Sequence, residues 1–276
     1  MDTQPLISVL ICTFNGKQYL EQTIDSVLAQ SYPNFEIVVV DDGSNDGTPE
    51  LIALMAEKNP RIRPFYRTNH GLPASRNFSF AQARGEWIAI IDQDDLCYPN
   101  RLERQLEVAR GNPSARLIFC DVDVIDGTGK VTDRHLAKFN MPGTLIPKGR
   151  AGNLLLKLGC YVDSEAFFMH RDSAMTIGLM DESLSYACDY EYFIRAGLAV
   201  DFAYTPEALA AWRIHANQAT ATFPRIRNQV RTVYIRFFWD ASVSWGTRLF
   251  LFQNLLRSYV GQGLDVLRVS LRTFRK

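Results

Sequence analysis

Three carboxylates fall within four residues at Asp92, Asp94 and Asp95, directly after the apolar run from Trp87 to Ile91. A second acidic pair, Asp41 and Asp42, closes the apolar run "FEIVVV". Clustered carboxylates repel one another unless a cation neutralises them. A few hard oxygen ligands suit Mg²⁺ or Mn²⁺ shared with substrate phosphates. A metal so placed stabilises a departing diphosphate as a Lewis acid. Loop capping accounts for one or two aspartates; five at two corresponding positions point to an acidic cleft. These residues leave the kind of phosphate chemistry open, and other motifs narrow it. There is no G-x-x-x-x-G-K-[ST] for a P-loop, no G-x-G-x-x-G after a strand and no H-E-x-x-H. The four histidines, at 70, 135, 170 and 215, lack zinc-ligand spacing. "DGTGKVTD" (126–133) lacks the upstream glycine of a phosphate loop and reads as a hairpin turn. Asp121 and Asp123 form a second D-x-D, but they alternate on a strand and read as solvent-facing or acceptor-side.

The acidic runs need strands to deliver them. "ISVLICTF" (7–14), "FEIVVVDDGS" (35–44), "IRPFYRT" (62–68), "EWIAIID" (86–92) and "RLIFCDVDVID" (116–126) are apolar and β-branched, as buried strands are. Helical spacing predicts helices over 16–32, 47–59, 73–84 and 101–110, the second with Thr48 as N-cap and Pro49 at its first position. Alternating strands and helices predict an α/β fold with a mainly parallel central sheet flanked by helices. Ligands of such sheets bind outside the carboxyl ends of the strands, where both acidic runs lie. From residue 127 the alternation blurs. Beyond 225 the pattern is helical and amphipathic: Trp245, Leu249, Phe252, Leu256 and Tyr259 share a face. The expected organisation is a catalytic domain over 1–224 and a basic helical segment over 225–276.

The 276 residues carry no net charge, yet residues 225–276 hold ten Lys/Arg and two Asp/Glu. That segment predicts an anionic partner. One reading lays its helices on an anionic membrane surface; the other makes them a lid or dimer contact. Nucleic acid is not expected, because no recognised module accompanies the charge. Five cysteines without a C-x-x-C pair suggest reduced thiols and a cytoplasmic chain, with the inner face of the cell membrane in reach. The start, "MDTQPLISVL", has no signal-peptide pattern, and no apolar stretch is long enough to span a bilayer.

Four stretches, "ISVLICTFNGKQYLEQTIDSVLAQSYPNFEIVVVDDGSNDGT" (7–48), "NHGLPASRNFSFAQARGEWIAIIDQDDLCYPNRLERQ" (69–105), "GLMDESLSYACDYEYFIRAGL" (178–198) and "WRIHANQAT" (212–220), resemble the family 2 inverting glycosyltransferases, which have the Rossmann-like GT-A fold. The resemblance implies an inverting, metal-dependent hexosyl transfer from a nucleoside-diphosphate-sugar donor to a glycan or lipid-linked acceptor, in polysaccharide, O-antigen or lipid-linked glycan assembly. Thr13 and Phe14, with Asn15 beside them, fall where the family contacts the base, and Asp42 where an aspartate binds it. Arg76 lies in the "ASRN" segment near the nucleotide. Asp92, Asp94 and Asp95 match the D-x-D region that contacts ribose and carries Mn²⁺ or Mg²⁺, with Asp95 first and Asp94 second as metal ligands. His215, with Arg213, matches an R-x-H segment that closes over the diphosphate. Asp189 matches the catalytic base, but the glutamate that usually precedes it is Cys188 here. Glu191, Asp181 and Glu182 are the nearby acids that could replace it. Two other readings stay open: a sugar-phosphate nucleotidyltransferase, and a non-catalytic nucleotide-sugar-binding module.

Overall fold

Every residue of β1 (Ile7–Thr13) and β2 (Phe35–Asp41) is buried, which explains the near-continuous apolar runs. The computed structural model describes residues 4–216, 218 and 223–257. In it β1 and β2 pair in parallel, and β1 pairs on its other side with β4 (Trp87–Ile90). β2 pairs in parallel with β3 (Ile62–Tyr66). The register sets Thr13 beside Asp41 and Leu10 beside Ile90, so these strands end at one edge of the sheet. Alternate residues face two separate cores. Val9, Ile11, Ile37 and Val39 meet α1 (Lys17–Leu28), α2 (Thr48–Lys58) and α4 (Arg101–Gly111). Leu10, Cys12, Val38 and Val40 share a core with α3 (Leu72–Gln82), α5 (Arg150–Leu158) and α7 (Cys188–Ala199).

The blurred region resolves into an insertion. β9 (Phe168–His170) runs antiparallel to both β4 and β6 (Ala115–Ile125), so β6 has the direction of β4. The long strand β10 (Asp201–Arg213) is parallel to β6, and its last residue, Arg213, therefore arrives at the same edge as Thr13 and Ile90. Parallel pairings are the long ones. Antiparallel pairings, including those of β5 (Leu96–Cys97), β7 (Val131–Arg134) and β8 (Leu145–Ile146), are short. β6 and β7 form the expected hairpin, closed by the Asp126 N–H donating to the Lys130 carbonyl at 3.0 Å. α6 (Arg171–Ile177) completes this half.

Local differences have plain causes. Thr48 is inside α2 rather than capping it. Gly47, at φ 90°, precedes it, and Asp46 accepts from the Thr48 N–H at 3.0 Å, doing the capping. Asp121 is buried, not solvent-facing: its Oδ1 accepts the N–H of Leu136 at 2.8 Å. Gly152 and Gly197 let α5 and α7 meet backbone to backbone; a Cβ on Gly197 would lie 2.5 Å from the Gly152 nitrogen.

The C-terminal segment begins with α8 (Phe223–Phe238), whose Val233 and Phe237 are buried in the same core as α7. A helix over 245–257 follows, with Thr247 and Leu251 buried. The face expected to be shared by Trp245, Leu249, Phe252 and Leu256 does share an orientation, but it points outward; Trp245 is 83% exposed. Tyr259 and the basic stretch beyond it lie outside the described residues.

Arg101, fully buried, fixes the acidic edge. Its Nη2 donates to the carbonyls of Ile90 (2.9 Å) and Phe167 (3.0 Å), joining the end of β4 to the lead-in of β9. Removing the guanidinium takes a donor from both carbonyls and leaves Phe167 with the Ile90 N–H at 3.4 Å, a loss of about 1–3 kcal/mol for each bond. Arg101→Met should therefore lower unfolding stability by about 2–4 kcal/mol, read as an earlier urea midpoint at unchanged slope. A loss below about 1 kcal/mol would contradict this role.

Candidate active site

Asp92 to Asp95 form the turn that leaves β4, and neighbouring elements pin it. The Asp95 N–H donates to the Asp92 carbonyl. Thr23, on α1, donates its hydroxyl to the carbonyls of Gln93 and Asp95, each at 2.9 Å. Gln93 Oε1 accepts from the Thr13 hydroxyl (2.6 Å) and from the Phe14 N–H (2.9 Å). Thr13, Phe14, Asp42, Asp92, Asp94 and Asp95 thus line one chamber of about 500 Å³. Asp42 is buried, and its two oxygens accept the N–H groups of His70 (3.0 Å) and Gly71 (2.8 Å), which shapes the loop before α3. Asn15 does not line the chamber. At φ 51° it ties two loops together, its Oδ1 accepting the Asn45 N–H and its own N–H donating to Ser44.

The three aspartates have separate surroundings. Asp94 Oδ2 lies 2.7 Å from His215 Nε2, and His215 packs on Tyr19 with ring centroids 5.1 Å apart. Burial, and then Asp92, push the Asp94 carboxyl above its usual range, against the pull of His215. Asp95 is buried, and its Oδ1 accepts the Arg213 N–H at 2.7 Å, which locks the end of β10 onto the turn. Its neighbour is Glu165, a carboxylate the sequence reading missed. Burial pushes Glu165 up to about 7 and, together with Glu165, pushes Asp95 well above the aspartate range. Two adjoining buried carboxyls cannot both ionise without a cation. One oxygen each of Asp92, Asp95 and Glu165 lies within 4.8 Å of the others. That hard-oxygen set fits a divalent cation replacing a shared proton, and Asp94 and His215 stand beside it at the same turn.

Arg76, on α3, is almost fully buried. Its Nη2 donates to Asp92 (2.6 Å) and to Ser164 (3.0 Å), and its Nη1 lies 3.9 Å from Asp189. Its Nε and Nη1 have no hydrogen-bond partner. Burial opposes its charge, but Asp92 and Asp189 favour it, and the net effect raises its pKa. Asp189 is the second residue of α7. Burial raises its pKa, and Arg76 is the chief force lowering it. Burial pushes the Cys188 thiol up to about 12, so it packs rather than reacts. The other nearby acids are engaged elsewhere: Glu191 with Arg195 and Arg236, Asp181 with Arg236, and Glu182 with Asn77.

A second chamber, of about 340 Å³, adjoins the first. Both are lined by Asp92, Glu165, Tyr186 and Trp212, but Asp189 lines only the second. α8 forms part of its wall through Val230 and Tyr234. Gln229 of the same helix accepts the N–H groups of Tyr186 (2.7 Å) and Ala187 (3.1 Å), just before α7 begins.

The family model for glycosyl transferase family 2 matches residues 8–178. The chain belongs to glycosyl transferase family 2. This glycosyltransferase is 32% identical, over 79% of its length, to an uncharacterized glycosyltransferase of Rickettsia typhi, and spans 67% of that relative. It spans 38% of a 28%-identical relative from Rickettsia felis. Its fold is GT-A, as in TarS of S. aureus solved with UDP-GlcNAc (TM-score 0.71, 18% identity, 91% of this chain and 71% of that one). It is also similar to the mannosyltransferase PcManGT of Pyrobaculum calidifontis, solved with GDP-Man and Mn²⁺ (TM-score 0.66, 17% identity, 92% and 70%). Membership sets aside the nucleotidyltransferase and the non-catalytic module.

The Arg76–Asp189 geometry gives a signed expectation. Activity that needs ionised Asp189 falls as pH drops through its raised pKa. Arg76→Gln removes the cation that favours the carboxylate, so the acid limb of kcat/KM should move to higher pH. An unmoved limb would contradict the coupling.

Proposed function

We propose that this glycosyltransferase transfers a sugar from a nucleoside-diphosphate-sugar to an acceptor hydroxyl with inversion, aided by Mn²⁺ or Mg²⁺. The observation that carries the reading is how the acids divide between the chambers: Asp94 and Asp95 line only the first, Asp92 lines both, and Asp189 lines only the second. The donor occupies the first chamber, with the base near Phe14 and Asp42 and the diphosphate over Asp92, Asp94 and His215. Asp189 accepts the proton of an acceptor hydroxyl in the second. That oxygen bonds to the anomeric carbon, the bond to phosphate oxygen breaks, and its electron pair leaves with the nucleoside diphosphate. Asp95, Glu165, Asp92 and Asp94 would hold the cation, which when bound supplies positive charge to the departing diphosphate. His215 and Arg76 add fixed positive charge or donors on the same side. The bound ligands of TarS and PcManGT, UDP-GlcNAc and GDP-Man, support a nucleotide-sugar donor without choosing one.

The acceptor we propose is a glycan or lipid-linked saccharide, in polysaccharide, O-antigen or lipid-linked glycan assembly. The outward face of the C-terminal helices supports an anionic membrane surface as partner. Trp239 (78% exposed) and Trp245 stand out with Leu249, Phe252 and Leu256, in a segment of ten basic and two acidic residues. Among the described residues no helix is long and apolar enough to cross a membrane.

A donor panel with Mn²⁺ or Mg²⁺ should show slow nucleoside diphosphate release from one nucleotide-sugar. Asp95→Ala should abolish it. Asp189→Asn should retain donor binding and lose transfer by about 10²–10⁴-fold. Silence across the common donors with metal would sink the reading. Separately, the protein should float with anionic liposomes, and deleting residues 239–276 should abolish flotation; equal partitioning would overturn the membrane assignment.

A further inference from the structure

α7 starts without a cap of its own. Its N-cap residue, Ala187, has no side-chain oxygen to offer the open N–H groups of the helix start. In a capping box the third residue of the helix reaches back to the N-cap N–H. Here that residue is Tyr190, and its hydroxyl is turned to the Leu155 carbonyl, to which it donates at 2.9 Å. The acceptor comes instead from α8. Gln229 Oε1 takes the N–H groups of Tyr186 at 2.7 Å and of Ala187 at 3.1 Å. One side-chain oxygen from a later helix thus closes the entry to the helix that carries Asp189.

Gln229 is itself held in place. Val233, one turn on, is buried in the core. Arg236, on the same face of α8, pairs with Glu191 at 3.0 Å and with Asp181 at 2.5 Å. α8 therefore grips α7 at its entry and again at Glu191, and Asp189 lies between the two grips. Asp189 Oδ1 accepts the Tyr190 N–H at 2.7 Å, and Oδ2 lies 3.9 Å from Arg76 Nη1. Both contacts follow the backbone over 186–190, so the carboxylate points where the helix entry sends it. A reacting group depends on such support, because a displacement of about 1 Å costs on the order of a hundredfold in rate.

We propose that Gln229 is a positioning residue for the transfer: through the N–H groups of Tyr186 and Ala187 it fixes where α7 begins, and so where Asp189 points in the second chamber. This rests on Asp189 acting as the base. Gln229 itself lines neither chamber, so its effect passes entirely through the backbone it holds. The assignment carries the catalytic unit past residue 224 and into α8, which lies beyond residues 8–178 matched by the family model.

The test uses the full chain with Mn²⁺ and UDP-glucose, UDP-N-acetylglucosamine or GDP-mannose, whichever the wild-type protein hydrolyses, and reads released nucleoside diphosphate. In hydrolysis water takes the place of the acceptor before Asp189. Gln229→Met keeps the reach of the side chain and removes the oxygen; kcat should fall by about ten- to a hundredfold with the donor KM unchanged. Gln229→Glu keeps an acceptor oxygen and should restore most of the loss. Val233→Ala loosens α8 from the core but leaves that oxygen in place; it should lower the melting temperature and leave kcat unchanged. A wild-type kcat in Gln229→Met would overturn the proposal, as would a loss seen only in KM. So would a Gln229→Glu as slow as Gln229→Met, or an equal loss of kcat in Val233→Ala, either of which reduces Gln229 to a contact of the fold. Failure of the transfer reading looks different, and the proposal falls with it: the wild-type protein then releases no nucleoside diphosphate, or Asp189→Asn releases it as fast.

Discussion

One buried guanidinium stands between the two halves of this site. Arg76, itself buried, touches Asp92, which lines both chambers, and approaches Asp189, which lines only the second. Without a cation there, two neighbouring carboxylates would repel each other uncompensated. With it, the ionised form of Asp189 is favoured against burial, as the proposed role of Asp189 as base requires. The partnerless Nε and Nη1 of Arg76 are notable beside Cys188, a thiol too weakly acidic to answer them. The charge balance around Arg76 therefore rests on Asp92 and Asp189.

The sheet exists to bring these groups to one edge. β1, β2 and β4 arrive there because they are parallel, and β10 arrives because the antiparallel β9 separates β4 from β6 without reversing β6. Arg213 and His215 then close on Asp95 and Asp94 from a strand more than a hundred residues downstream. The C-terminal helix α8 is part of this construction. Its Gln229 satisfies two N–H groups at the entry to α7, and its Val230 and Tyr234 wall the second chamber.

The parallel half of the fold was legible because fully buried strands leave uninterrupted β-branched runs, and helices such as α1 keep a clear period. The acidic turn was legible for the same reason: charge at the end of such a run is hard to explain otherwise. Glu165 was not. It is one carboxylate in a segment without periodicity, and it joins Asp95 only through the short pairings of β9, which no local pattern encodes. Asn15 and Asp42 show the converse limit. Their place just beyond β1 and β2 was readable, but their hydrogen bonds to neighbouring loops were not. The spacing of Trp245, Leu249, Phe252 and Leu256 correctly grouped them on one face, yet amphipathic spacing alone does not say which face turns inward.

The proposed transfer is a single displacement with the nucleophile and the leaving group in separate chambers. The anomeric configuration of the sugar released from its donor by slow hydrolysis, observed by proton NMR before mutarotation, tests it most directly. Inversion is expected, so an α-linked donor first yields the β sugar. Release with retention would require a second nucleophile on the protein and would contradict it.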